Sequence, residues 1–220
     1  MNIDLWKVTY ETLLMTLIST LLAYALGLPL GVILKMSAKD GLKPNKWVNS
    51  ILGVTINFLR SVPCLILTVI LLPLTRFLLG RGTGMWYTMI IPLFFASFAY
   101  VARNVEQSLQ SVDNGPVEAA RSLGANNFQV ITKVLIPEAR SSLILGVAIT
   151  IVNVLGYTSF AYNIGAGGLI SEIWLYYTRH TSDFMNSYLF WVLIVIVVVM
   201  VELIQELGLF LAKKLDKRKH

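Results

Sequence analysis

The sequence predicts an all-α integral membrane protein with about five transmembrane helices, and its composition is the first observation that predicts this class. Of its 220 residues, 56% are hydrophobic and only 14% are charged, and the mean hydropathy is +0.70. A soluble domain of ordinary composition carries about 25% charged residues. The second observation is that apolar residues gather into five long segments, and the third is that lysine and arginine concentrate in alternate connections. These patterns indicate a chain that lies largely in lipid.

Five spans can be drawn along the chain. Each crossing needs roughly 20 apolar residues, because the hydrocarbon core is about 30 Å thick and a helix rises about 1.5 Å per residue. The segments that qualify are residues 12–34, 51–74, 85–101, 143–160 and 188–211. Their connections are short, so residues 1–220 are predicted to form a single transmembrane domain. Residues 1–6 carry no lysine or arginine, which is untypical of a removable signal peptide, and we expect the first span to be retained.

Positive charge predicts how the chain is oriented, because lysine and arginine accumulate in cytoplasmic loops. Thirteen of these residues fall on one side: Lys35, Lys39, Lys43, Lys46, Arg103, Arg121, Lys133, Arg140, Lys213, Lys214, Lys217, Arg218 and Lys219. The other side holds four, which are Lys7, Arg76, Arg81 and Arg179. We therefore expect a multi-pass protein of the cytoplasmic membrane with its N-terminus outside and its C-terminus in the cytosol. This topology accounts for the net charge of +6, so the basic balance does not indicate nucleic-acid binding.

The connection between the third and fourth spans, residues 103–142, is the polar part of the chain and is predicted to be cytoplasmic. It contains a spaced set of residues: Glu118, Ala119, Ala120, Gly124 and Pro137. Glycine adopts positive φ readily, so Gly124 fits a turn between two short helices. The second helix can begin at Asn126, with Gln129 in capping-box spacing, and Pro137 is predicted to limit it. The hairpin is either a plain solvated connection or a knob that presses into a cleft on a partner domain.

The spacing of this set resembles the EAA signature of the permease subunits of bacterial ABC importers. Val134 and Ile136 are its only departures, and both keep apolar bulk. The stretches 10–13, 57–63 and 164–169 look like the five-span permease of methionine-uptake ABC importers. The Arg-Ser-Val-Pro run within the second stretch also resembles the Arg-Gly-Thr-Pro run of polar amino-acid permeases, and a glycine expected shortly after the third stretch is absent. The resemblance therefore indicates the amino-acid branch and leaves the substrate open between methionine and another amino acid or small solute.

The resemblance also implies a fold and a set of partners. The fold is the type I permease fold of ABC importers, with the hairpin serving as a coupling helix. The implied partners are a second copy of the chain, two cytoplasmic ABC ATPase subunits and an extracytoplasmic substrate-binding (lipo)protein. No cofactor is expected in this chain, because ATP and Mg²⁺ would bind to the ATPase. The residues expected to couple to the ATPase are Glu118, Ala119, Ala120, Arg121, Gly124 and Pro137.

Polar residues inside the predicted spans suggest a translocation pathway. An arginine at the centre of a membrane helix costs about 2.5–3.5 kcal/mol on insertion scales, so Arg60 needs a polar partner or an aqueous path. The pathway candidates are Asn57, Arg60, Ser61, Pro63, Asn153 and Tyr157. Two structural alternatives stay open. Arg60 can instead reach the cytosolic interface or stabilise a helix break near Pro63, and the residues of the fourth span can serve helix packing.

Several other functions lack the residues that they require. No Gly-x-x-x-x-Gly-Lys-Ser/Thr loop is present, so the chain has no recognisable cradle for ATP phosphates. His180, His220 and Cys64 are far apart in sequence, which argues against a metal site or a Cys-His nucleophile, and the chain is predicted not to be an enzyme. One rival is an ion-coupled secondary carrier, although the acidic residues fall mostly in loops and no internal repeat is visible. A structural scaffold is the other rival, and the EAA-like segment argues against it.

Overall fold

The computed structural model describes residues 4–215, and this part of the chain is helical and contains no β-strand. The predicted all-α class is confirmed. Lys217, Arg218 and Lys219, which contribute to the charge asymmetry, lie outside the described residues. The α-helices are α1 Leu5–Ser37, α2 Lys46–Ser61, α3 Cys64–Ile70, α4 Leu72–Leu79, α5 Ile90–Gln110, α6 Asn114–Ser122, α7 Asn127–Val130, α8 Ile136–Tyr157, α9 Leu169–Arg179 and α10 Tyr188–Leu215.

Four helical segments within the described residues are long and apolar enough to cross a membrane, and a bent pair supplies a fifth. The four are Leu5–Ser37, Trp86–Gln110, Asn127–Ile164 and Tyr188–Leu215. The fifth consists of α2 and α3, whose axes differ by 93°. The number of helices agrees with the five spans drawn from the sequence, but the second span is not one continuous helix.

The break in the second span follows from Pro63. Proline has no N–H to donate and disfavours helical geometry in the residue before it. Val62 accordingly adopts extended backbone angles (φ −80°, ψ 118°) and ends α2, and Pro63 (φ −58°, ψ 139°) precedes α3. The sequence predicted a kink within a helix that runs from 51 to 74. The structure instead has three short helices, since α3 ends at Ile70 and α4 begins at Leu72.

The third and fourth spans extend further towards each other than the sequence predicted. The third was expected to end near residue 101, but α5 continues to Gln110, so Arg103 lies inside a helix and not in a loop. The fourth was expected to begin near 143, with Pro137 limiting the helix before it. In the structure α7, a π-helical turn at Ile131–Leu135 and α8 form one helical segment that passes through Pro137. Pro137 has no N–H to donate, and it follows directly on the π-helical turn, in which the amide of Ile136 donates to the carbonyl of Ile131, five residues earlier. This widened turn lets the helix continue past the proline.

The most extensive helix packing is between α1 and α5. A run of small residues on α1 with four-residue spacing, Ser19, Ala23, Gly27 and Gly31, is buried. A Cβ atom at Gly31 would lie 2.5 Å from the carbonyl oxygen of Ala102, and one at Gly27 would lie 2.8 Å from that of Phe98. Small residues drive association in membranes because they let helix backbones approach. This packing makes α5 the central helix of the molecule.

The C-terminal helix α10 packs along α8 and otherwise faces outward. Gly208 has no side chain, so Ala148 of α8 packs directly against its backbone. Ser141 Oγ donates a hydrogen bond of 2.9 Å to the carbonyl of Ala212. The remaining surface of α10 is rich in exposed valine and leucine, as expected for a helix that contacts lipid. Helix α9, which the sequence did not predict, connects α8 to α10 on the side opposite α6.

Candidate coupling segment and pathway site

The turn between α6 and α7 has the geometry that the glycine predicts. Gly124 has φ +83°, and the amide of Ala125 donates to the carbonyl of Ala120 at 3.0 Å while the amide of Gly124 donates to that of Arg121 at 2.9 Å. This pair of bonds is a Schellman motif, which ends a helix and satisfies its last carbonyl groups. The hairpin of residues 113–130 is called the coupling segment below.

The second helix of the coupling segment begins with the predicted capping box. Asn126 Oδ1 accepts a hydrogen bond of 2.9 Å from the amide of Gln129, and the side chain of Gln129 accepts one of 2.9 Å from the amide of Asn126. The two bonds satisfy amide groups that the first turn of a helix leaves free. Both ends of the turn are therefore fixed by local hydrogen bonds.

The outer face of the coupling segment is exposed and apolar at its tip. No residue of α6 is buried. Leu123 is 89% exposed and Phe128 is 72% exposed, although both are large hydrophobic side chains. A paired exposed Leu and Phe on an ordered turn is typical of a surface that another protein covers. Of the predicted coupling residues, Glu118, Ala119, Arg121 and Gly124 are exposed beside this tip and Ala120 is half-buried beneath it, whereas Pro137 lies beyond the segment, at the start of α8.

The inner face of the coupling segment rests on the connection between α1 and α2. Arg121 Nη2 donates a hydrogen bond of 3.0 Å to the carbonyl of Leu42. That connection is braced by Lys35 Nζ, which donates to Asp40 Oδ2 at 2.8 Å, and this hydrogen bond lowers the pKa of the Asp40 carboxyl. An ion pair at the surface contributes little to the free energy of folding, so the role of this pair is to position the connection between α1 and α2. The coupling segment is thus attached to the chain just before α2.

Four of the predicted pathway residues come together at the bend between α2 and α3, which we call the elbow (residues 57–64). The guanidinium carbon of Arg60 lies 6.0 Å from the ring centroid of Tyr100 on α5. Asn57 Oδ1 accepts a hydrogen bond of 2.9 Å from Arg103 Nη2. Ser61 Oγ donates to the carbonyl of Asn57 at 2.9 Å, and Pro63 forms the bend. Among residues 4–215, Arg60 has no carboxylate within ion-pair distance.

The pathway candidates on α8 have mixed surroundings. Tyr157 is half-buried and packs in the cluster that contains Cys64, the first residue of α3, so it lies near the elbow. Asn153 is half-buried one turn earlier. Thr150, which lies one turn before Asn153 on α8, is fully buried, and its hydroxyl donates to the carbonyl of Gly146 at 2.7 Å. Helix packing therefore accounts for Thr150 and Gly146 on this face of α8.

An ion pair on α5 was not predicted from the sequence. Arg103 Nη1 donates to Glu106 Oε2, and Glu106 is only 5% exposed. Because the third span was drawn to end at 101, Arg103 was counted as a loop residue and Glu106 was not considered. The available signal was the i, i+3 spacing of opposite charges directly after an apolar run, which lets a helix continue with its charges paired.

A cavity of about 570 Å³ lies at the opposite end of the molecule from the coupling segment. The glycine-rich stretch after α8 forms one wall, with φ +78° at Gly167, where an added Cβ would lie 2.9 Å from Glu11 Oε2. The amide of Leu169 donates to Thr12 Oγ1 at 2.8 Å. These contacts fix the glycine-rich stretch against the first turns of α1.

A helical bundle of four to five membrane-crossing segments, with a bent second span and an exposed hairpin at one end, defines a multi-pass membrane protein. The chain belongs to the family of binding-protein-dependent transport system inner membrane components, whose family model matches residues 27–217. The family resemblance that the sequence predicted is confirmed. The chain is therefore the permease subunit of an ABC importer in the inner membrane and not an enzyme.

Individual relatives cover nearly the whole chain. The methionine import system permease protein MetP of Bacillus subtilis is 43% identical over 220 residues, which are 99% of this chain and 97% of the relative. The probable D-methionine transport system permease protein MetI of Vibrio cholerae is 38% identical over 219 residues, which are 99% of this chain and 95% of the relative. A solved inward-facing structure of the MetNI methionine ABC transporter superposes with a TM-score of 0.89 at 32% identity, and the match covers 96% of this chain and 95% of the solved one.

The positive φ of Gly124 generates a test of the coupling segment. A β-branched residue in left-handed geometry costs roughly 1–2 kcal/mol, so Gly124→Val should distort the turn without preventing insertion of the spans. We expect substrate taken up per ATP hydrolysed to fall several-fold, or the yield of the complex with the ATPase to fall. Gly115→Val is the matched control, because Gly115 also has open space around a Cβ but no positive φ. Normal uptake and normal complex yield in Gly124→Val would show that the turn does not transmit force.

Proposed function

We propose that this chain imports methionine across the cytoplasmic membrane as the permease subunit of an ATP-driven ABC importer. The observation that carries the proposal is the ordered coupling segment with its exposed Leu123 and Phe128, which needs a partner in the cytosol. The choice of methionine is supported by relatives whose names state methionine transport and by the stretches 10–13, 57–63 and 164–169. Another amino acid or a related small solute is the alternative substrate, and an ion-coupled carrier is the alternative mechanism.

The proposed assembly contains two copies of this chain, two cytoplasmic ATPase subunits and an extracytoplasmic substrate-binding (lipo)protein. The coupling residues Glu118, Ala119, Ala120, Arg121 and Gly124 form or flank the surface that would enter a cleft on each ATPase. Pro137 contributes indirectly, through its position at the start of α8, where the helix of the segment continues into the span. ATP and Mg²⁺ bind in the ATPase subunits, because this chain has no phosphate-binding loop.

The proposed orientation has the N-terminus outside and the C-terminus in the cytosol. The charge asymmetry supports it, since Lys35, Lys39 and Lys43 cluster near the coupling segment and Lys213 and Lys214 end α10. Arg103 no longer counts as a loop residue, but the asymmetry persists without it. The cavity beside the glycine-rich stretch then opens to the outside, where a binding protein would dock.

Transport in this proposal is a rigid-body exchange between inward-open and outward-open states. ATP binding closes the ATPase pair, and the coupling segments carry the movement into the spans. Since both ends of the Gly124 turn are fixed by hydrogen bonds, the segment can transmit a push without unfolding.

The elbow lines the proposed pathway. Lipid cannot solvate the guanidinium of Arg60 or the amide of Asn57, so the surface that carries them must face a second copy or an aqueous path. An arginine with no carboxylate partner in the described chain offers two parallel donors to the carboxylate of an amino acid. The proposed lining is completed by four further residues, which are Ser61, Pro63, Asn153 and Tyr157. The helix break at Pro63 supplies backbone carbonyl groups to the same lining.

Uptake competition tests the proposed function. Vesicles that contain the permease, its ATPase and its binding protein should accumulate labelled methionine only with ATP, and unlabelled methionine should abolish the signal while other amino acids at equal concentration do not. Stronger competition by another amino acid would overturn methionine as the substrate. Uptake that follows an imposed proton or sodium gradient without ATP would favour a secondary carrier.

Replacing Arg60 by lysine tests the pathway. Lysine keeps the charge but loses the planar fork, so a residue that binds a carboxylate should suffer and a snorkelling one should not. We expect Arg60→Lys to assemble normally and to lower the initial uptake rate about tenfold, which corresponds to roughly 1.4 kcal/mol. Arg76→Lys on α4 is the matched control, because Arg76 is an exposed arginine away from the elbow. Unchanged uptake in Arg60→Lys would remove Arg60 from the pathway.

A further inference from the structure

The central helix α5 leads directly into the coupling segment. Only residues 111–113 separate Gln110, the last residue of α5, from Asn114, the first of α6. Helix α5 is also held to α8 by Ser142 Oγ, which donates to Ser108 Oγ at 2.9 Å, and to α1 by the close glycine packing. A displacement of the coupling segment therefore reaches α5 through a very short connection.

Arg103 is fixed to α5 and extends from it towards α2. Its Nη1 group donates to the buried carboxylate of Glu106 on the same helix, so the guanidinium has little freedom to turn. Its Nη2 group donates to Asn57 Oδ1 on α2 at 2.9 Å, across 46 positions of sequence. Because the guanidinium fork is planar and rigid, a movement of α5 changes this hydrogen bond directly.

Helix α2 is attached to α5 near the elbow by apolar packing and by few polar contacts. Ile56 is its only buried residue in the described chain, and it packs in the core cluster with the partly buried Leu52 and Leu59. At its other end, Asn49 Nδ2 donates to the carbonyl of Leu34 at 3.0 Å and to Ser37 Oγ at 3.3 Å, which ties the start of α2 to the end of α1. The start of α2 is thus held by hydrogen bonds to α1, and within the described residues the bond from Arg103 is the side-chain hydrogen bond that joins the elbow to α5.

We infer that Arg103 is a positioning residue for transport, which makes the elbow of α2 move with α5 and the coupling segment. The Glu106 carboxylate fixes the guanidinium on α5, and Asn57 receives it on α2. Without this hydrogen bond, only apolar packing and the contact of Arg60 with Tyr100 link the elbow to α5, and the elbow follows a movement of α5 less closely. The inference rests on the proposed ATP-driven dimer but not on the identity of the substrate.

Distances between the two copies of the reconstituted complex test this role without any substrate. Spin labels are attached to a single cysteine, either at Asn114 in the coupling segment or at the exposed Phe58 in the elbow, with Cys64 replaced by alanine. In the otherwise unmodified chain, trapping with ATP and vanadate should shift both distances. In Asn57→Leu, which removes the acceptor, the shift at 114 should persist and the shift at 58 should be largely lost. Asn57→Asp, which keeps an acceptor for Arg103, should restore it.

Two further variants separate positioning from general loosening of α2. Asn49→Leu removes an amide of the same type from the same helix but leaves Arg103 in place, and it should keep both shifts. Arg103→Leu combined with Glu106→Leu removes the ion pair without leaving a buried charge, and it should lose the shift at 58 to the same extent as Asn57→Leu. Adding Asn57→Leu to the variant with Arg103→Leu and Glu106→Leu should not reduce the distance shift in the elbow any further.

Each remaining outcome counts against the inference. A full shift at 58 in Asn57→Leu would show that the hydrogen bond does not carry the movement. Loss of the shift in Asn49→Leu as well would show that α2 is merely loosened. If neither distance shifts in the unmodified complex, the proposed ATP-driven movement itself fails, and the role of Arg103 fails with it.

Discussion

Hydrocarbon offers no hydrogen-bond partner, and this constraint decides how every surface of the molecule can be used. Backbone groups must be paired within helices, and charged side chains must find protein or water. Helix α10 satisfies the constraint by being apolar around most of its surface. The hairpin of α6 and α7 cannot lie in lipid, because it carries exposed polar side chains such as Glu118, Arg121 and Gln129. The division between lipid-facing spans and a water-facing hairpin follows from this constraint.

The same constraint requires a partner or a function for the few polar groups that lie within the spans. Glu106 is buried because Arg103 pairs with it, and the remaining donors of Arg103 reach Asn57. Arg60 has an aromatic ring beside it but no carboxylate in the described chain. An arginine without a carboxylate partner does not stabilise the fold, so the presence of Arg60 at this position indicates a functional role. We therefore relate one arginine to the movement of the elbow and the other to the solute.

Much of the fold could be predicted from the sequence, because apolar length and the spacing of Gly124 and Pro137 are local signals. The ends of the spans could not, since Arg103 and Glu106 interrupt the apolar run in sequence but neutralise each other in space. The bend at Pro63 was predictable as a break, whereas its angle of 93° depends on how α3 packs against the rest of the bundle. The contact between Asn57 and Arg103 depends on the register of two helices, and no pattern within either helix specifies that register.

The account depends most on which side of the membrane holds the coupling segment. In a chain with Cys64 replaced, single cysteines at Asn114 and at Ser182 can be tested with a thiol reagent that does not cross the membrane, applied to intact cells without an outer membrane. Both positions are exposed in the structure, so a difference in labelling reports the side of the membrane. The account predicts labelling at 182 and none at 114 until the cells are opened. Labelling at 114 in intact cells would place the coupling segment outside, away from any ATPase, and would contradict the account.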